Sequence, residues 1–191
     1  MKQRELKRQS LHIFTGLVIV SLLYSDSIDV TILAILTVMA LLFSIISLKF
    51  KVPLVNMSLE HMGREEEKKF PGKGFFYYLL GSTLAVALFE KNIAMASILV
   101  LAFGDSFSRF IGQFYGRIKH PFSDTKVVEG WAAGIAAATA ASSFLVVWYA
   151  ALIASIVAMT IEAIELKLLH HTMDDNLLIP IIAGTVMTII L

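Results

Sequence analysis

VLAFGDSFSRFIGQFYGRIKHPFSDTKVVEGWAA, residues 100–133, begins and ends as membrane-like sequence and carries charge in between. The charges include the acids Asp105 and Glu129 and the cations Arg109, Arg117, Lys119 and Lys126. A charged side chain at bilayer depth costs a few kcal/mol or more and is usually functional. Acids and fixed cations converging at a membrane edge suit a metal-bound polyphosphate better than they suit fold stability. The stretch therefore predicts a membrane enzyme of phosphoryl or nucleotidyl chemistry.

Composition agrees. The 191 residues are 57% hydrophobic and mean hydropathy is +0.77. Soluble domains are roughly 45–50% apolar. The length suits one domain over residues 1–191, its core a helix bundle packed within the bilayer. Net charge is +1, so bulk charge points to no nucleic-acid partner. There is no Cys, which excludes a disulfide framework and a thiolate zinc site. The opening MKQRELKRQSLHIFTGLVIVSLLYS has the outline of a signal peptide but no small-residue cleavage site, and another apolar run follows at once. It reads as a retained first helix.

A membrane span needs about 20 mostly apolar residues. Seven segments qualify: Leu11–Ser25, Ile28–Leu48, Phe75–Phe89, Ile93–Phe114, Trp131–Val147, Tyr149–Leu168 and Asn176–Leu191. The fifth and sixth are divided only by a tight hairpin expected near Ser143–Ala150. Loop charge supports the count. Lys2, Arg4, Lys7 and Arg8 precede the first span, and Lys49, Lys51, Arg64, Lys68, Lys69 and Lys73 follow the second. Arg117, Lys119 and Lys126 follow the fourth, and the last internal loop holds Lys167 with His170 and His171. The alternate loops, SDSID and EKN, are nearly free of cations. The positive-inside rule then makes the N-terminus and all the basic loops cytoplasmic. The expected fold is an all-α polytopic bundle of about seven spans, integral to a membrane, with its active site on the cytoplasmic side. In the long loop from Lys49 to Gly74, EHMGREEEKK reads as a solvated linker or a short interfacial helix.

Residues three and four apart share a helix face. Asp105, Ser108, Arg109, Gly112 and Gly116 fall on one face, and Arg109 stands one turn from Asp105, close enough to pair. Gly112 and Gly116 let a neighbouring backbone come close. A small-residue seam, Gly130, Gly134, Ala138 and Ser142, marks the fifth span for packing. The sixth aligns Ala151, Ser155, Ala158, Glu162 and Glu165, of which Glu162 lies deeper. Asp174, Asp175 and Asn176 precede the last span. One of the three suits a helix N-cap; together they offer hard oxygen ligands for Mg²⁺. His12 stands one turn after Arg8 at the boundary of the first span, where the two could meet a phosphate. No Walker loop, kinase catalytic set, G-x-S-x-G or H-E-x-x-H occurs.

In order along the chain, KRQSLHIFTG, FPGKGFFYYLLGS, FGDSFSRFIGQFYGR, KVVEGWAAG and DDNLLIPIIAG resemble the motifs of the polyprenol kinase family. That family contains dolichol kinase, phytol kinase and the yeast-type CTP-dependent diacylglycerol kinase. The resemblance spans nearly the whole chain. Two positions depart from it: Val127 stands where Ser or Thr is usual, and Arg109 where a small or apolar residue is common.

The resemblance implies transfer of the γ-phosphoryl group of CTP to the hydroxyl of a membrane lipid alcohol, an isoprenoid alcohol or diacylglycerol, with Mg²⁺. Arg8, His12, Arg109, Arg117, Lys119 and Lys126 are the expected nucleotide contacts. Asp105, Glu129, Glu162, Asp174, Asp175 and Asn176 are the expected metal-binding and hydroxyl-orienting set. Asp105, Glu129, Lys126 and Asp175 are expected to act in catalysis. Replacing Asp105 or Lys126 should abolish turnover and leave the folded yield intact. The competing readings are a CTP-dependent cytidylyltransferase acting on a lipid phosphate and a small transporter. The second would need acids near mid-bilayer. The sequence leaves oligomeric state open, a homodimer included.

Overall fold

A computed structural model describes residues 2–49, 70–123, 125–164, 167–168 and 171–191. Seven helices follow the apolar runs of the sequence: α1 (Lys2–Tyr24), α2 (Val30–Lys49), α3 (Lys73–Leu88), α4 (Lys91–Tyr115), α5 (Val128–Ser142), α6 (Trp148–Ile164) and α7 (Asp175–Ile190). The expected hairpin between the fifth and sixth segments falls at residues 143–147, between α5 and α6. The expected sixth span corrects at its end. Helix α6 stops at Ile164, and Lys167–Leu168 pairs antiparallel with His171–Thr172. The interfacial-helix reading of EHMGREEEKK, together with Glu165 and His170, lies outside the described residues.

Two helices are long and apolar enough to cross a membrane by length and composition, α2 over Val30–Leu48 and α4 over Lys91–Tyr115. They sit differently. Most of α4 is buried, and it contacts α1, α3, α5, α6 and α7, so it is the axis of the bundle. Little of α2 is buried; it packs on α3 and turns Ile35, Val38, Leu42 and Ile46 outward. Such an all-round apolar helix suits a hydrocarbon solvent.

Small residues set the close packing around α4. A Cβ added at Gly130 would come 3.0 Å from Gly112 Cα, and one at Gly134 would come 2.8 Å from the Gly104 carbonyl. The glycine face of α4 and the small-residue seam of α5 thus bring two backbones together. Val127, the departure from the resembled motif, packs on this seam: a Cβ at Gly116 would lie 2.6 Å from its Cγ2. Between α3 and α7, Gly81 lies against the Asn176 carbonyl and Pro180.

Midway along α4, Val100–Asp105 winds as a π-helix. One such turn adds a residue to the helical repeat and re-phases everything after it. Asp105 ends this turn, and Ser106–Tyr115 continues as α-helix, so Asp105 and Arg109 keep the one-turn spacing expected of them.

Candidate active site

The start of α1, the end of α4, the start of α5, the end of α6 and the start of α7 meet at one end of the bundle. Three carboxylates converge there. Oxygens of Asp105, Glu162 and Asp175 lie within 4.8 Å of one another. Asp105 and Glu162 are buried and Asp175 is partly exposed. Each comes from a different helix, and sequence spacing alone could not have joined them.

Two cations are threaded into this cluster. Arg109 donates from Nε to Asp105 Oδ1 at 2.5 Å and from Nη2 to Asp175 Oδ2 at 2.8 Å, tying α4 to α7. Lys126 pairs with Glu162, whose side chain is 1% exposed. From α1, His12 presents Nε2 3.8 Å from Asp105 Oδ2. Arg8, one turn back, lies 4.0 Å from Glu5, and its buried Nη1 has no hydrogen-bond partner among the described residues. Beside the cations opens a cleft of about 300 Å³, lined among others by Ser108, Arg109, Gln113, Thr125 and Lys126. A larger cleft, about 610 Å³, lies at the other end of the bundle around Glu90, Phe144 and Leu191 and shares no residue with the acids.

The Asp174–Asn176 run divides its work. Asp174 caps α7, accepting from the Asn176 backbone N–H at 3.2 Å, and lies 3.7 Å from Lys73 Nζ. Burial raises the Asp174 carboxyl above its ordinary range, against the pull of the Asn176 N–H and Lys73. Asn176 donates its amide to the Gly74 carbonyl at 3.2 Å, which pins the start of α7 to the start of α3. That start needs Gly72, whose φ of 75° is left-handed. Of the three residues, Asp175 is the one placed among the convergent acids.

The structure does not bring Glu129 to the cluster. Its carboxylate accepts from the backbone N–H of Arg117 and of Ile118, both at 3.1 Å. Its own backbone N–H, then those of Arg117 and Ile118, hold its carboxyl below the usual range. Glu129 therefore clamps the loop that carries Arg117, Lys119 and Lys126. The same loop is braced by an isolated antiparallel bridge between Lys119 and Val127 and by His120, buried against Trp131. Arg117 and Lys119 are exposed, and the ion pairs of Asp105, Glu162 and Asp175 among the described residues are made with Arg109, Lys126 and His12 instead.

Tyr78 is a residue that sequence reasoning passed over. It is 2% exposed, its hydroxyl has no hydrogen-bond partner among the described residues, and its ring meets that of His12 edge-on at 4.6 Å. Within FFYYLLGS it reads as one more apolar position; only the one-turn spacing to Ser82 hinted at a polar side.

Three carboxylates with two cations, beside a cleft and inside an apolar bundle, offer hard oxygen donors together with fixed positive charge. The donor set fits Mg²⁺. Against known sequences the chain has relatives. A maize (Zea mays) protein described as "Probable phytol kinase, chloroplastic" is 27% identical over 204 residues, covering 94% of this chain and 64% of its own length. A rice (Oryza sativa subsp. japonica) protein described as "Probable phytol kinase 1, chloroplastic" is 22% identical over 195 residues, covering 94% and 62%. This chain is a distant homologue of plant phytol kinases. The chain spans less than two thirds of the length of these phytol kinase relatives. No family model matches it, and no solved structure does.

Proposed function

We propose that this protein is a membrane lipid-alcohol kinase that transfers the γ-phosphoryl group of a nucleoside triphosphate, CTP by family resemblance, to an isoprenoid alcohol such as phytol. The observation that carries the proposal is the meeting of Asp105, Glu162 and Asp175 with Arg109 and Lys126 at one end of an apolar bundle. Loop charge supports the placing of this end on the cytoplasmic side of seven spans.

In this reading the alcohol O–H bond breaks and an O–Pγ bond forms. The bond from Pγ to its bridging oxygen breaks, and that electron pair leaves with the nucleoside diphosphate. The proton passes to a carboxylate of the cluster and on to water. Such a reaction asks mostly for positioning and for charge placed where the phosphoryl group passes. Asp105, Glu162 and Asp175 would hold Mg²⁺, which would supply charge neutralisation on the polyphosphate. Arg109 and Lys126, released from the acids, turn into the cleft and hold phosphate oxygens. Arg117 and Lys119 attract the anion from solvent, and the Glu129 clamp keeps their loop in place. The buried walls keep bulk water, a competing acceptor, from the phosphoryl group.

The test is a panel of acceptors and donors with purified protein. Phytol, geranylgeraniol, a polyprenol and diacylglycerol would each be offered with CTP or ATP and Mg²⁺, the products being measured by mass. The proposal expects lipid monophosphate and nucleoside diphosphate in equal amounts, and no product after chelation of the metal. Nucleoside diphosphate formed with no lipid phosphate would reject it.

A further inference from the structure

Tyr78 Oη and His12 Nε2 are both buried and both lack a hydrogen-bond partner among the described residues. They belong to one place. The rings meet at 4.6 Å and 85°, and His12 Nε2 lies 3.8 Å from Asp105 Oδ2. The phenol oxygen occupies room that α1 leaves open: a Cβ at Gly16, one turn beyond His12, would come 2.5 Å from it. Buried polar groups are paired almost without exception. Two orphaned polar atoms on touching rings, one of them 3.8 Å from a buried carboxylate, therefore point to a small polar group that arrives with a ligand.

We infer that Tyr78 and His12 form the subsite for the acceptor hydroxyl of a lipid alcohol, which rests on the kinase reading above. An alcohol oxygen accepts through two lone pairs and donates through one proton. Tyr78 donates its phenolic O–H to that oxygen. His12 offers at Nε2 the complementary donor or acceptor, according to tautomer. The alcohol oxygen is thereby held beside Asp105, where the phosphoryl group must pass. Access from the lipid fits the packing. Helix α1 packs on α4 and α2 packs on α3, while the two share few contacts beyond the turn that joins them. Their outer residues Leu11, Phe14, Ile35 and Leu42 are apolar and exposed, as suits an alkyl chain lying between them.

Tyr78→Phe tests the inference because it deletes an atom that has no hydrogen-bond partner among the described residues. The variant should be as resistant to unfolding as the parent, or more so. Its KM for phytol should rise about tenfold, one lost hydrogen bond, with KM for the nucleotide within about twofold. A second readout needs no turnover. In the parent protein, phytol should raise the melting temperature more than phytane, the same hydrocarbon without a hydroxyl, and Tyr78→Phe should erase the difference. An unchanged KM for phytol, equal effects on both KM values, or equal stabilisation of the parent by phytol and phytane would each overturn the subsite. Failure of the parent to phosphorylate any alcohol would reject the kinase reading instead, while the comparison of phytol with phytane would still decide whether a hydroxyl binds.

Discussion

Replacing Lys126 with Met removes the cation set against Glu162 and leaves that carboxylate, 1% exposed, beside Asp105 and Asp175. Three acids balanced by two cations become three balanced by one. Breaking a buried pair from one side costs about 3–5 kcal/mol, because the survivor is left charged and desolvated. The neighbouring acids push the cost up, and the 18% exposure of Lys126 lets some solvent in and pulls it down. We expect a loss of about 3 kcal/mol. Glu162→Gln alone leaves a lysine that can reach water and should cost about 1 kcal/mol. The double variant should return to within about 1 kcal/mol of the parent, since removing both charges removes the penalty. The assay is equilibrium unfolding in mixed detergent micelles, followed by the fluorescence of Trp131 and Trp148. Costs that simply add, to within about 0.5 kcal/mol, would refute the pairing. The double variant should still lack turnover, because it is folded but has lost the acid and the cation to which the proposed function assigns metal and phosphate.

Asp105→Asn preserves shape but removes a charge from the three-acid cluster; turnover should fall about 10³-fold or more, and Mn²⁺ binding, read by electron paramagnetic resonance, should weaken. Glu129→Gln keeps one acceptor for the two backbone N–H groups it serves. It should raise the nucleotide KM a few-fold with little change in kcat, and speed amide exchange at Arg117 and Ile118. Because the Glu129 carboxyl is depressed, the clamp is fully present above the ordinary carboxylate range and is lost as pH falls through its lowered value; the protection of the same two amides should be lost only below the ordinary carboxylate range. Gly81→Ala drives a methyl into the Asn176 carbonyl where α3 crosses α7. It should destabilise by about 3 kcal/mol or more, seen as a lowered unfolding midpoint.

The helices were legible because hydrophobic run length is a local signal. Each apolar segment became a helix, and the chargeless run from Ala132 to Ile161 broke at residues 143–147 as its length required. The pairing of Asp105 with Arg109 was legible for the same reason, being one turn within one helix. What the sequence could not show is how separate helices meet. Nothing local says that Lys126 reaches Glu162, 36 positions on, or that Asp175 and not Asp174 faces Arg109. Glu129 looked like a ligand because it is an acid at a basic loop, yet it serves the loop's backbone. Lys126→Ala, expected from the sequence to leave folding intact, now carries the cost of a stranded Glu162. Tyr78 was hidden in an aromatic run, where only its depth in the fold shows that its hydroxyl lacks a partner.

The measurement that tests the central claim most directly is the fate of labelled phosphate. Purified protein with Mg²⁺ would receive γ-labelled CTP in one reaction and α-labelled CTP in another, with phytol and phosphatidate as competing acceptors. The account predicts that the γ label enters phytol as its monophosphate and that the α label stays in water-soluble CDP. Label from the α position appearing in a lipid would contradict it and assign the site to nucleotidyl transfer.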